Sequence, residues 1–253
     1  MSTRPAAVAG RFYPGGPQML RNLIDLQLGE VTPPPDEPPA RGYVVPHAGY
    51  RFSGPIAAHV YARLRRDAAN IRRVVLVGPS HHVRLRGFAA SPDSRWETPL
   101  GSVEVESTTV VAADPRPHQG EHSLEVQVPF LQVVLPGVPI TPVAVGAAPT
   151  EAIGRLVDEL TDEDSVLLCS TDLSHYLGHA EAVKRDRATA DNVLALAPQR
   201  IQNGDACGLF PLRGTLAWAE HHGLTPTELD LRTSADTFGG ADRVVGYSAF
   251  SFV

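Results

Sequence analysis

Cysteine is scarce: the 253 residues hold two, Cys169 and Cys207, and no Cys-x-x-Cys pair. That is too few for a disulfide-stapled scaffold or a zinc ribbon. Basic charge is short as well. Lys and Arg number 22 against 28 Asp and Glu, a net charge of −6. This argues against general binding to nucleic acid or an anionic membrane, which needs a basic surface. No apolar run approaches the roughly 20 residues of a membrane-crossing helix. Met1-Ser2-Thr3-Arg4-Pro5 has no signal-peptide apolar core, so a reduced, cytoplasmic protein is expected. Local signatures of common enzymes are missing too: no His-Glu-x-x-His, no Gly-x-Ser-x-Gly, no P-loop and no Gly-x-Gly-x-x-Gly.

What is present is a set of apolar runs that end in polar residues. Hydrophobic residues make up 43%, enough for a sizeable core. Val74-Val75-Leu76-Val77 reads as a strand buried on both faces, and it runs through Gly78-Pro79 into Ser80-His81-His82. Tyr43–Pro46 runs into His47, and Ser165–Ser170 into Thr171-Asp172-Leu173-Ser174-His175. Open α/β sheets build their sites just beyond such strand ends. Helical spacing predicts helices over Pro17–Leu28, Ser53–Leu64, Thr150–Leu160, Glu181–Leu196 and Leu212–His222. Further strands are expected at Leu85–Ala90, Val103–Glu106, Ile140–Val145 and Val244–Phe252. Residues 31–41 are a proline-rich surface connector. The alternation predicts an α/β fold: one domain over 1–253, its central sheet mostly parallel or mixed and covered by helices on both faces. The Val103–Val105 segment and the final strand favour the mixed form.

His47 and His81, each beyond a strand end, are candidate metal ligands, with His82 competing for the role of His81. Imidazole suits Zn, Cu, Fe and Ni. The third ligand is open between Cys207, whose thiolate favours Cu(I), Zn or iron, and Asp236, which would complete the two-His, one-carboxylate set of non-heme Fe(II) chemistry. His175 is placed to move protons, with Asp172 orienting it or raising its pKa. Glu121–Leu131 reads as a helix broken or kinked at Pro129; His122 and Glu125 share its face and would line the same cavity or hydrogen-bond to its ligands from behind, with His122 a candidate catalytic residue. Tyr50 could donate to a bound oxyanion. His59, with no partner in view, reads as structural. The run Lys184–Arg187 reads as solvated surface. His221 and His222 read as favourable charges at a helix end.

Pro46-His47-Ala48-Gly49-Tyr50 with Ser53-Gly54, Gly78-Pro79-Ser80-His81-His82, Glu121-His122-Ser123-Leu124-Glu125 and Ser170–His175 occur in order. So do Ala9–Pro14 near the start and Val245-Gly246-Tyr247 near the end. Together these motifs resemble the Memo family, whose prokaryotic members are called AmmeMemoRadiSam system protein B. That family is similar in fold to the LigB-type class III extradiol dioxygenases, non-heme Fe(II) enzymes. The resemblance implies a single LigB-like α/β domain, with His47 and His81 as ligands and His175 as pocket acid/base. It also implies Cys207 as third ligand, from Cys207-Gly208 followed by Pro211, with Asp236 as fallback. Fe(II) is the expected metal, with Cu or Zn as alternatives, and the activity implied is O2-dependent oxidation of an unknown substrate. Two other readings stand beside it. One is a metal- or peptide-binding partner of AMMECR-type and radical-SAM proteins; the other is a Zn-dependent hydrolase.

Overall fold

The computed structural model describes residues 2–253; Met1, the first residue of the expected domain, lies outside them. In chain order the elements are β1 (Thr3–Arg4), α1 (Pro17–Gly29), β2 (Gly42–Val45), α2 (Tyr50–Arg66), β3 (Arg73–Pro79), β4 (Phe88–Ala90), β5 (Arg95–Thr98) and β6 (Gly101–Glu104). There follow α3 (Val128–Val134), β7 (Ile140–Val145), α4 (Thr150–Leu160), β8 (Ser165–Ser170), β9 (His175–Leu177), α5 (His179–Leu194), α6 (Leu209–His221), β10 (Pro226–Thr233) and β11 (Val244–Phe252). Among the described residues no helix is long and apolar enough to cross a membrane.

The main sheet has the order β10-β11-β2-β8-β3-β7-β4, with β9 pairing the start of β11. Its centre, β2-β8-β3-β7, is parallel, while β4, β10 and β11 run antiparallel at the flanks. The fold is therefore α/β with a mixed sheet. Strand side chains alternate between two apolar layers, as the period-2 geometry requires. Tyr43, Val45, Val74, Leu76, Val166 and Leu168 pack toward α1, α2 and α3. Val44, Val75, Val77, Leu167 and Cys169 pack toward α4, α5 and α6. Covering both faces is what makes these strands continuous apolar runs. Each fully buried Leu or Val contributes about 1.5–3 kcal/mol of burial free energy.

Several expectations need correction. Val103 lies in a separate three-stranded sheet, β1-β5-β6, and its segment meets the main sheet only through a bridge from Val105 to Ile140. The mixed character comes from the final strand, β11, as expected, together with β4 and β10. Strand β10 has no counterpart in the sequence reading; it is a half-exposed edge strand. It supplies His59 with a partner, Asp230, at 3.4 Å. Helix α2 begins three residues before Ser53, because the extended Gly49 caps it and the Ser53 hydroxyl donates back to the Ala48 carbonyl. The connector over 31–41 is irregular, and Glu37 ties it to α2 through Arg63 at 2.7 Å and Arg66 at 3.2 Å. In the charge run, Lys184 faces solvent but Asp186 is buried and accepts the Ser174 N–H at 3.0 Å.

Residues 121–131 form no single helix. A 3-10 turn over Glu125–Gln127 leads into α3, and Pro129 sits in its first turn, where it has no hydrogen bond to break. His122 and Glu125 therefore do not share a face. Glu125, expected to line the cavity, lies beneath it at 1% exposure. Its carboxylate meets the Arg4 guanidinium at 2.6 Å and accepts from the Tyr13 hydroxyl and the Ala7 and Val8 N–H groups. Arg4 in turn donates to the His118 and Glu121 carbonyls and lies over the Trp96 ring. This buried pair pins residues 4–13 to the segment that carries His122. Because removing one partner strands the other charge, Glu125→Ala should lower unfolding free energy by about 3–5 kcal/mol. Urea unfolding of the two proteins measures this, and a loss no larger than that of a surface substitution would show that the pair holds nothing.

Candidate metal centre

Three strand ends meet at one point. His47 follows β2, Ser170 ends β8 and Asp172 lies two residues past it, and His81 lies two residues beyond β3. The segment before α3 adds Glu121 and His122, and the turn before α6 adds Cys207. Ring nitrogens of His47, His81 and His122 all lie within 4.8 Å of one another. Cys207 Sγ is 3.2 Å from His47 Nε2.

The hydrogen bonds fix where the His47 lone pair points. The Ser170 hydroxyl has one proton and gives it to the Ser123 carbonyl, 2.6 Å away. Its oxygen then accepts from the Gln127 amide at 2.8 Å and from His47 Nδ1 at 2.9 Å. Nδ1 of His47 must therefore carry the proton, leaving Nε2 bare and aimed at Cys207. His81 is built alike. Its Nδ1 donates to Glu121 Oε1 at 2.9 Å and its backbone N–H to Oε2 at 2.5 Å, so Nε2 is again the free nitrogen. A carboxylate or hydroxyl behind each imidazole is the arrangement that orients metal-ligating histidines.

Burial sets the electrostatics. It drives the His47 pKa well below the usual value, and the neighbouring His122 and His81 push the same way. His122 is lowered to about 4, by burial first, against the raising effect of Glu121. Burial alone would raise Glu121, but the hydrogen bond and charge of His81 with the Ser123 and His81 N–H groups hold it well below the carboxylate range. Burial pushes the Cys207 thiol up to about 12, with Asp172 adding to the shift. The thiolate form thus needs a cation beside it, and a metal supplies that charge. The donors present fit a metal ion.

Above the cluster opens a cavity of about 760 Å³, lined by His47, His81, His122, Asp172, His175 and Cys207. Phe12, Phe52, Tyr176, Arg243 and Tyr247 complete its wall. Asp172, 3% exposed, accepts the His47 backbone N–H at 2.7 Å, and burial raises its pKa to about 6. His175 Nδ1 donates to the Leu173 carbonyl at 2.8 Å, so its Nε2 is the nitrogen available to accept a proton.

The other expected pocket residues lie elsewhere. The Tyr50 hydroxyl is buried, donating to the Val126 carbonyl at 2.7 Å. His82 is exposed, outside the cavity, and forms a second cluster with Glu121 and His122. Asp236 caps a short 3-10 turn through Thr233 and meets His179 at 3.6 Å, and it is not among the residues that line the cavity. Glu121, Ser170 and Gln127 had no assigned role in the sequence. Glu121, adjacent to His122 within one of the family motifs, was the readable signal among them.

An α/β sheet with a histidine cluster at its strand ends defines the class. The family model described as Memo-like protein matches residues 4–251. MEMO1 family proteins of Methanopyrus kandleri and Ignicoccus hospitalis are 34% and 35% identical, the first over 98% of each chain, the second over 100% of this chain and 99% of its own. One from Sulfurisphaera tokodaii is 32% identical over 98% of this chain and 99% of its own. The chain belongs to the Memo family.

Two measurements test this geometry. Long-range 1H–15N NMR should show His47 protonated at Nδ1, and Ser170→Ala should mix its tautomers; a wild-type Nε2–H signal would overturn the assignment. The His122 resonance should titrate near pH 4. A histidine whose folded pKa is lowered stays neutral while the unfolded chain takes up a proton. Its contribution to stability is therefore complete above the unfolded value of about 6.5 and falls as pH drops toward the folded one.

Proposed function

We propose that the cluster is a mononuclear metal centre, held by His47, His81 and Cys207, that serves an O2-dependent oxidation of a small substrate. The observation that carries this reading is the pair of bare Nε2 atoms, His47 oriented by Ser170 and His81 by Glu121, at the floor of an open cavity. Iron is the ion proposed; when bound it supplies redox chemistry and positions for oxygen and substrate. The protein's own residues do the rest. His175, with Nδ1 engaged by Leu173, takes a proton from a substrate hydroxyl at Nε2 and returns it later. Asp172 holds the His47 backbone in place beside His175 at the wall of the same cavity. Phe12 packs against His122 in a tilted arrangement, 4.7 Å between centroids, and shields that side of the cluster.

One observation favours a second reading, a peptide-binding protein that docks partners such as AMMECR-type or radical-SAM proteins. Tyr176 and Phe238 stand 64% and 62% exposed near the cavity mouth, with Arg243 over the first and Arg51 over the second.

Elemental analysis of protein purified without oxygen or added metal tests the centre. Stoichiometric iron is expected in wild type and in His175→Ala, and loss of it in His47→Ala, His81→Ala and Cys207→Ala. Retention in Cys207→Ala with loss in His122→Ala would make His122 the third donor. Zinc would move the function to hydrolysis. Oxygen uptake with catechol-like substrates should vanish in His175→Ala while iron remains; equal iron loss there would refute the proton-transfer role.

A further inference from the structure

Two non-glycine residues among those described have left-handed backbone, Leu196 and Tyr176. Leu196 has an ordinary reason. It follows the end of α5, where the Ala197 N–H reaches back to the Asn192 carbonyl at 2.9 Å, a helix ending that calls for a left-handed residue. Tyr176, with φ +61°, is different. His175 pairs with Val245 and Leu177 with Val244, so β9 advances two residues where β11 advances one. Tyr176 is the extra residue of a bulge, in a backbone conformation that glycine usually supplies. Alternation along a strand sends neighbouring side chains to opposite faces, yet His175 and Tyr176 both line the cavity above the metal cluster. The bulge re-aims the strand so that they do. Burial does not offset the strain, because the Tyr176 ring is mostly exposed. What the ring meets is the Arg243 guanidinium, 5.1 Å above it, and the edge of the His175 ring, 5.7 Å between centroids. Backbone strain kept at a site without a packing reason points to a function for the side chain it presents.

We infer that Tyr176 and Arg243 form the recognition face of this cavity, Tyr176 for a flat ring and Arg243 for an anionic group on that ring. Resting on the function proposed above, the substrate is a small aromatic carboxylate. The cavity suits a ring: Phe12, Phe52 and Tyr247 give it aromatic walls beside Tyr176. Arg243 is the one Lys or Arg among its lining residues, and it is exposed. The ion pairs of the molecule engage other arginines, and among the described residues Arg243 is in none of them. In a chain of net charge −6, a cation left without a carboxylate at the cavity wall is available to a ligand's own. A guanidinium takes a carboxylate through two parallel N–H bonds while its plane rests on an aromatic ring. The one carboxylate of the cavity wall, Asp172, is 3% exposed and accepts the His47 N–H, so it leaves Arg243 free. A substrate gripped this way keeps its carboxylate outward and turns its opposite edge toward His47, His81 and His175.

Thermal unfolding and NMR titration of the metal-free protein test this, with 4-hydroxybenzoate and phenol as probes. Phenol is the same ring without the carboxylate. Binding is read from the ring resonance of His122, which lines the cavity. Wild type should bind 4-hydroxybenzoate several-fold more tightly than phenol, and Arg243→Gln should erase that preference while phenol binds as before. Tyr176→Gly should weaken both probes several-fold. Because glycine accepts φ +61° freely, the same variant should raise the unfolding midpoint by about 2–4 °C. Weaker binding by a more stable protein cannot come from damage to the fold. A lower midpoint in Tyr176→Gly would mean that the ring is held for packing, and it overturns the recognition role. Unchanged binding in that variant, equal affinity of wild type for the two probes, or no binding of either does the same. Iron content and oxygen uptake are read separately. Protein that lacks both, yet binds the probes as expected, loses the oxidation reading and keeps the recognition face; protein with both, but without the carboxylate preference, loses the recognition face alone.

Discussion

Parallel pairing of β2 and β3 with β8 between them is the constraint from which the site follows. Val45 sits opposite Ser170, and Val77 opposite Cys169. Strands in that register end level with one another. The residues that follow must leave the sheet at the same edge, where strand carbonyls and N–H groups lose their ladder partners. His47, Asp172 and His81 are those residues. Their side chains and backbone groups replace the lost ladder: the His47 N–H goes to Asp172, and the His81 N–H to Glu121.

Charge around the cluster is kept low. Four imidazoles surround a cavity whose acidic neighbours are already engaged, Glu121 by His81 and Asp172 by the His47 backbone. Burial keeps His47 and His122 neutral, so repulsion among the rings does not open the site. Neutral imidazoles with bare Nε2 atoms and a thiol that burial holds protonated form a set of donors waiting for a positive charge.

Much of this was legible in the sequence because the signals are local. Unbroken runs such as Val74–Val77 report double-sided burial directly, and the residues after them report the strand end. The Memo motifs singled out His47, His81 and His175, which the fold brings to one cavity. What was not legible depends on partners far along the chain. Glu125 is indistinguishable from a pocket carboxylate until Arg4, more than a hundred positions earlier, is seen beside it. His59 has a partner only once β10 is known, and β10 is hidden because an edge strand carries no strong apolar pattern. The expected helix through His122 and Glu125 failed because Pro129 starts a helix there rather than interrupting one.

The cluster is assembled from residues 47 to 207, drawn from three strand ends at one edge of the parallel core and from the segments before α3 and α6. No fragment of the chain carries it, and most of its contacts close only when the whole sheet has formed. An ion or ligand that needs the whole cluster would bind the native state in preference to the unfolded chain. Occupancy and global stability are then thermodynamically linked: a ligand at a hundred times its Kd adds about 2.7 kcal/mol to unfolding. For a domain whose total is on the order of 5–15 kcal/mol, the filled and empty proteins would differ in lifetime as much as in chemistry. In a cell, turnover of this chain would report on the supply of whatever fills the centre.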